Sequence, residues 1–155
     1  MSSIVTLAPN ATNKCFGCGA GNDAGMQLTF QQDNERRRIV GRFVLGERYQ
    51  GGGGIAHGGI IALLLDEAMG KACRFREVRA VTAELTIEYL RPVNVLNEIV
   101  VEAFEENLSG RNLFLVGEIR NAAGNVLARA KGRFVILMDK DGIVRREEAV
   151  GKEEA

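Results

Sequence analysis

Residues 51–75 read GGGGIAHGGIIALLLDEAMGKACRF, and the fold turns on this stretch. From Gly58 to Phe75, the apolar residues Ile60, Ile61, Leu63, Leu64, Leu65 and Met69 cover more than one side of a helical wheel. A helix that is apolar nearly all round is a buried helix. Yet Asp66 and Glu67 sit side by side in its middle. Glu67 has Lys71 four residues later, the favourable orientation for an ion pair on an exposed helix face, and it reads as a rim charge. Asp66 has only Ala62, Leu63, Met69 and Gly70 within helical reach. A carboxylate stranded on an apolar face is costly unless it is paired, solvated or protonated. Either a partner arrives from another strand or subunit, or the group is kept for chemistry as a general base or nucleophile.

The start of the helix bears on that choice. His57-Gly58-Gly59 stands where the first backbone N–H groups have no partner within the helix. Glycines let a ligand approach that backbone closely. The free N–H groups and the helix dipole can polarise a carbonyl oxygen and stabilise an oxyanion. Asp66 lies about 13 Å along the axis from His57, too far to serve the same carbonyl. A two-fold dimer with antiparallel helices brings Asp66 of one chain to the Gly58 end of the other.

Outward from the helix, the chain reads as strands. On the C-terminal side, VTAELTIEYL (81–90) alternates Ala83, Leu85, Ile87 and Tyr89 against Thr82, Glu84, Thr86 and Glu88. Arg91-Pro92 ends that run. Residues 97–106, 112–120 and 126–138 are three more strands, joined by NLSGR and NAAGN, which carry the Asn and Gly of hairpin turns. On the N-terminal side, MQLTFQQ (26–32) and RRRIVGRFVL (36–45) read as strands, and residues 46–56 as a glycine-rich connection. The first dozen residues read as a loose arm, and the charged tail from Asp139 as a frayed end. A curved antiparallel sheet would cover most of the helix, and the side left over must meet something else, most simply a second copy.

Composition narrows the function classes. The chain has 155 residues, the length of one domain, with 20 basic and 20 acidic residues and no net charge. That balance argues against a nucleic-acid binder driven by bulk charge. No apolar run is long enough to span a bilayer and no signal-peptide pattern is present, so the expected location is the cytoplasm. The three cysteines, Cys15, Cys18 and Cys73, do not form a disulfide framework. A zinc site needs four ligands, and Cys15-x-x-Cys18 has only Cys73 and His57 to draw on. A redox pair would want a helix start, whereas Gly17, Gly19 and Gly21 make a turn. The expected role is small residues packed in a tight loop, with no metal.

Together these stretches resemble the hotdog-fold acyl-CoA thioesterases, especially the phenylacetic-acid-pathway and THEM-type branch. HGGIIALLLDEAMG (57–70) is similar to the family's signature and YQGGGGIAHGG (49–59) to its loop before the helix. CFGCGAGNDAGMQLTF (15–30), LTIEYLRPV (85–93) and AAGNVLARAKGRFVIL (122–137) resemble its N-terminal stretch, following strand and last hairpin. The resemblance covers about residues 14–138.

It implies an α+β hotdog fold in a single domain, a long central helix wrapped by a curved antiparallel sheet. It further implies a homodimer or dimer of dimers with active sites at the subunit interface. By the same resemblance Asp66 is the catalytic carboxylate, and Gly58 donates its N–H to the thioester carbonyl with Gly59 beside it. His57 shapes the helix start, and Thr82 is the polar residue opening the next strand. Gln50 is the candidate for positioning water.

The reaction implied is hydrolysis of an acyl-CoA to free acid and CoA, with Asp66 activating water or attacking directly. No cofactor is required, since CoA belongs to the substrate. Arg91 is the candidate for a CoA phosphate. Arg129, Lys131 and Arg133 are expected instead to pair across the sheet with Glu102 and Glu118. The competing readings are a non-catalytic acyl-CoA binding module, which would not need a stranded Asp66, and a hydratase of the same fold, which would want its histidine in a different setting.

Overall fold

His57 caps the helix that the sequence predicts. Its backbone is extended, its side chain accepts a hydrogen bond from Gly59 N–H, and α1 runs Gly58–Ala72. A short 3-10 turn, Cys73–Arg76, extends it, and Glu77 in the left-handed region at φ 53° ends it. Lys71 in the last turn suits the helix dipole. The computed structural model describes residues 3–142; the charged tail lies outside the described residues from position 143 on.

Seven strands surround α1 among the described residues: β1 Ile4–Thr6, β2 Gln31–Asp33, β3 Arg38–Val44, β4 Arg79–Tyr89, β5 Glu98–Ser109, β6 Asn112–Asn121 and β7 Val126–Met138. They form one antiparallel sheet in the order β1-β2-β3-β5-β6-β7-β4. The helix touches β3, β4, β5, β6 and β7 in turn, so the sheet curls around it in the hotdog arrangement. Leu64, Leu65, Ala68 and Met69 on α1 are wholly buried against Ile39, Val101, Ala103, Leu113 and Ile119 of the sheet. Gly110 and Gly124 turn the two hairpins at φ 58° and 84°, a backbone that glycine adopts without strain.

The N-terminal third departs from its expected form. The arm is not loose throughout: Ile4–Thr6 pairs with Gln31–Asp33 and forms a short sheet edge. MQLTFQQ contributes only its last residues to the ladder, because Gln27 stands at φ 50° and breaks the run. Leu28 and Phe30 still turn inward. The preceding loop folds back on them, with Met26 N–H donating to Phe16 C=O at 2.8 Å and Leu28 N–H to Gly17 C=O at 2.9 Å.

Ion pairs knit the outer face of the sheet. Glu118 accepts from Arg129 (3.1 Å) and Arg120, Lys131 meets Glu106 (3.4 Å), and Arg133 meets Glu84 (3.9 Å). Glu102 is taken by Arg38 (3.1 Å) and Arg36 (3.5 Å) rather than by the last strand.

Burial pushes the Glu118 carboxyl up, but Arg120 and Arg129 outweigh it and hold the group below its ordinary 4.5. Arg76 does the same for Glu105, whose burial opposes it. Because both pKa values are depressed in the folded state, their stabilisation is present above about 4.5 and is lost as pH falls through the folded values. The melting temperature is therefore expected to hold from neutral pH to about 5 and to drop below it. Glu118→Gln should lower it at pH 7 and flatten the acid limb; an unchanged acid limb would remove Glu118 from this account.

Candidate active site

The sequence leaves Asp66 without a partner; the sheet supplies one. Thr82 Oγ1 donates to Asp66 Oδ1 at 2.6 Å. Simple alternation puts Thr82 on the face opposite Leu85 and Ile87. The β4–β7 ladder instead slips between Thr82 and Glu84, pairing Thr82 with Phe134 and Glu84 with Arg133. This bulge inserts Ala83 and switches the inward-facing set from Ala80 and Thr82 to Leu85 and Ile87. Thr82 thereby faces the helix. Asp66 Oδ2 has no hydrogen-bond partner among the described residues, and the pair lines an open cleft with Glu67, Gly70, Lys71, Val81 and Phe134.

A second cleft lies at the other end of the helix, bounded by Ile55, Ala56, Ile61, Tyr89, Leu90, Arg91, Pro92 and Val93. Gly58 N–H, the first of the helix, has no partner among the described residues. Tyr89 Oη donates to Gly58 C=O at 2.9 Å and packs on the glycine, so β4 holds the helix start as well as Asp66. Sequence reading missed this tyrosine; its only signal was the end of an alternating strand before Arg91-Pro92. Arg91 is exposed at the rim, with its N–H on Leu127 C=O at 2.9 Å.

Two expected groups are engaged elsewhere. Gly59 N–H donates to His57 Nδ1 at 2.9 Å, which leaves Gly58 as the free donor of the pair and fixes the His57 proton on Nε2 when the ring is neutral. Gln50 closes its own loop: its side-chain carbonyl accepts from Gly54 N–H at 2.6 Å and its amide donates to Glu47 C=O at 3.0 Å. The loop is a frame for His57, whose N–H reaches Tyr49 C=O at 2.8 Å.

Glu67 does not pair with Lys71. The N-terminal loop comes between them and gives each a cysteine: Cys15 Sγ donates to Glu67 Oε1 at 3.2 Å, and Lys71 Nζ donates to Cys18 Sγ at 3.1 Å. These contacts span 52 and 53 residues, and no local pattern announces them. Burial, ahead of Lys71 and Glu67, sets the Cys18 thiol above its ordinary value. Burial also pushes the Cys73 thiol up to about 11, which makes it inert core.

The two clefts of one chain hold a carboxylate in one and a free helix N–H in the other. β4, the strand that touches both, is the edge of the sheet, and Val81 and Tyr89 on it are 47 % and 57 % exposed. An eleven-residue edge strand with apolar side chains in water is a template for pairing with another chain.

Residues 53–128 match the family model described as the thioesterase superfamily. Acyl-coenzyme A thioesterase THEM4 of Rattus norvegicus is 32% identical over 117 residues, which are 76% of this chain and 50% of that protein. The chain spans about half the length of the curated relatives it matches. A thioesterase superfamily protein of known crystal structure superposes with a TM-score of 0.74 at 29% identity, over 79% of this chain and 60% of that one. A hypothetical thioesterase from Streptococcus pneumoniae, crystallised with coenzyme A, shares the fold with a TM-score of 0.62 at 18% identity, over 64% of this chain and 80% of that one.

Proposed function

We propose that this chain, whose residues 53–128 match the thioesterase superfamily model, hydrolyses acyl-CoA thioesters at a site shared between two copies. The observation that carries this reading is the Asp66–Thr82 pair in an open cleft, a carboxylate that packing alone does not require. The helix spacing supports a shared site, because Asp66 and the Gly58 N–H of one chain stand about 12 Å apart along the axis. In a dimer paired through the β4 edge, Asp66 of one protomer faces the Gly58 end of its partner.

The thioester carbonyl oxygen accepts from Gly58 N–H, whose dipole and missing internal partner favour the oxyanion as it forms. Thr82 holds Asp66 through Oδ1 and leaves Oδ2 to take a proton from water. The hydroxide formed attacks the carbonyl carbon, the C–S bond breaks, and CoA leaves as a thiolate. Direct attack by Asp66 would give a mixed anhydride instead, and ¹⁸O found in the Asp66 carboxylate after a single turnover in ¹⁸O-water would identify that path, with water attacking the Asp66 carbonyl. Arg91, exposed at the rim of the Gly58 cleft, is the handle for a CoA phosphate. A protein of this fold crystallised with coenzyme A agrees with that substrate class.

The test is free-thiol release from a panel of acyl-CoA thioesters, run with sedimentation of the same sample. Activity per chain should fall on dilution as the dimer dissociates; an active monomer would sink the shared site. Thr82→Val should lower kcat about tenfold with little change in KM, the value of one hydrogen bond to a charged group, and Thr82→Ser should restore it. Equal loss in both variants would make Thr82 a packing residue only.

A further inference from the structure

The N-terminal loop brings a second set of chemical groups onto α1, beside the catalytic cleft but outside the reaction proposed for it. Cys15 Sγ, Cys18 Sγ and a Glu67 carboxylate oxygen all lie within 4.8 Å of one another, each on a half-buried residue. We propose that these three side chains bind a divalent, thiol-seeking cation of the zinc class, with water completing a tetrahedron.

Ligand chemistry is the first reason: two thiolates and one carboxylate are a zinc donor set, whereas calcium and magnesium take oxygen alone. Geometry is the second. With Zn–S of about 2.3 Å and Zn–O of about 2.0–2.2 Å, a tetrahedral edge between sulfur and oxygen is about 3.5 Å. Cys15 Sγ and Glu67 Oε1 stand 3.2 Å apart before any ion draws them into place.

The loop is also built for this approach. A Cβ at Gly17 would sit 2.5 Å from Glu67 Oε1, and one at Gly19 would sit 2.5 Å from Cys15 N. Glycine at position 19 lets the chain turn against the backbone of Asn13 and Cys15, and glycine at position 17 leaves the Glu67 carboxylate where it stands. Gly19 N–H to Cys15 C=O (2.9 Å) and Cys15 N–H to Asn13 Oδ1 (2.9 Å) hold that turn.

Charge is the third reason. Two thiolates and a carboxylate carry three negative charges, and a divalent cation with the Lys71 ammonium carries three positive ones. Lys71 already donates to Cys18 Sγ at 3.1 Å, with Asn13 Nδ2 at 3.6 Å on the same sulfur. Such outer partners orient and steady a ligating thiolate. On binding, the two thiol protons pass to solvent and two metal–sulfur bonds form, with no change of oxidation state. The sequence alone could not find this site, because Glu67 is 52 residues from Cys15 and reads there as a partner for Lys71.

The full chain, reduced and kept free of oxygen, should be titrated with Co²⁺ as a spectroscopic probe. The expected result is thiolate-to-cobalt charge-transfer absorption with tetrahedral d–d bands, saturating at about one ion per chain and bleached by added Zn²⁺. Cys15→Ser and Cys18→Ser should abolish the charge-transfer band. Lys71→Met should weaken binding about 10–100-fold while the band keeps its position. Zinc should raise the melting temperature of the wild-type chain and leave that of Cys15→Ser unchanged, with circular dichroism confirming that the variant folds. Reduced wild-type chain that gives no cobalt–thiolate band overturns the site, and so does a band that survives both serine variants. A reduced chain that ignores the metal but closes a Cys15–Cys18 disulfide in air also overturns it, in favour of a redox pair. None of these readouts uses thioester hydrolysis, so the outcome is independent of the proposed reaction.

Discussion

Asp66→Asn is expected to lower kcat for acyl-CoA hydrolysis by about 10²-fold or more, with a small change in KM. The substitution keeps the shape of the side chain and removes its ability to take a proton. Asn Oδ1 can still accept from Thr82 Oγ1, so the 2.6 Å contact that ties helix to strand survives. What is lost acts in the transition state, and a 10²-fold loss corresponds to about 2.7 kcal/mol of it. The measurement is free-thiol release under saturating substrate, wild type beside variant, with sedimentation showing the same assembly for both. Equal rates would remove Asp66 from the chemistry. Binding of CoA esters by both proteins with turnover by neither would make the chain a binding module instead.

Leu65→Ala should destabilise the fold by about 2–5 kcal/mol, toward the upper end. Leu65 is fully buried on α1, and its Cδ2 lies 3.1 Å from where a Cβ would stand on Gly117 of β6. The sheet thus meets this leucine with bare backbone, and Met69, whose Cγ lies 3.4 Å from the same position, is the side chain beside the space left by truncation. The same contact makes Gly117→Val costly, by about 1–3 kcal/mol of overpacking. Urea unfolding at fixed protein concentration measures both, since association would otherwise shift the midpoint. A loss under about 1 kcal/mol for Leu65→Ala would mean that the sheet closes onto the helix after all.

The helix and the four strands after it were legible because their signals are local. Ile60, Ile61, Leu64, Leu65 and Met69 follow a helical period, and Gly110 and Gly124 sit where hairpins need a left-handed residue. The N-terminal strands were less legible. Gln27 breaks β2 with a single left-handed residue that no propensity demands, and Ile4–Thr6 becomes a strand only because Gln31–Asp33 offers it an edge.

The candidate site divides the same way. The sequence by itself determined that a buried helix carries a carboxylate with no partner of its own and begins at a glycine pair behind a histidine. It could not determine the partners. A one-residue bulge at Ala83 decides that Thr82 meets Asp66, a loop some fifty residues away decides that Glu67 and Lys71 each face a cysteine, and a ring nitrogen claims Gly59 N–H. Helical period and turn chemistry are set by neighbours in the chain, and so can be read from it. Ladder register and loop packing are set by contacts between distant segments, whose energies exist only once the chain has closed on itself.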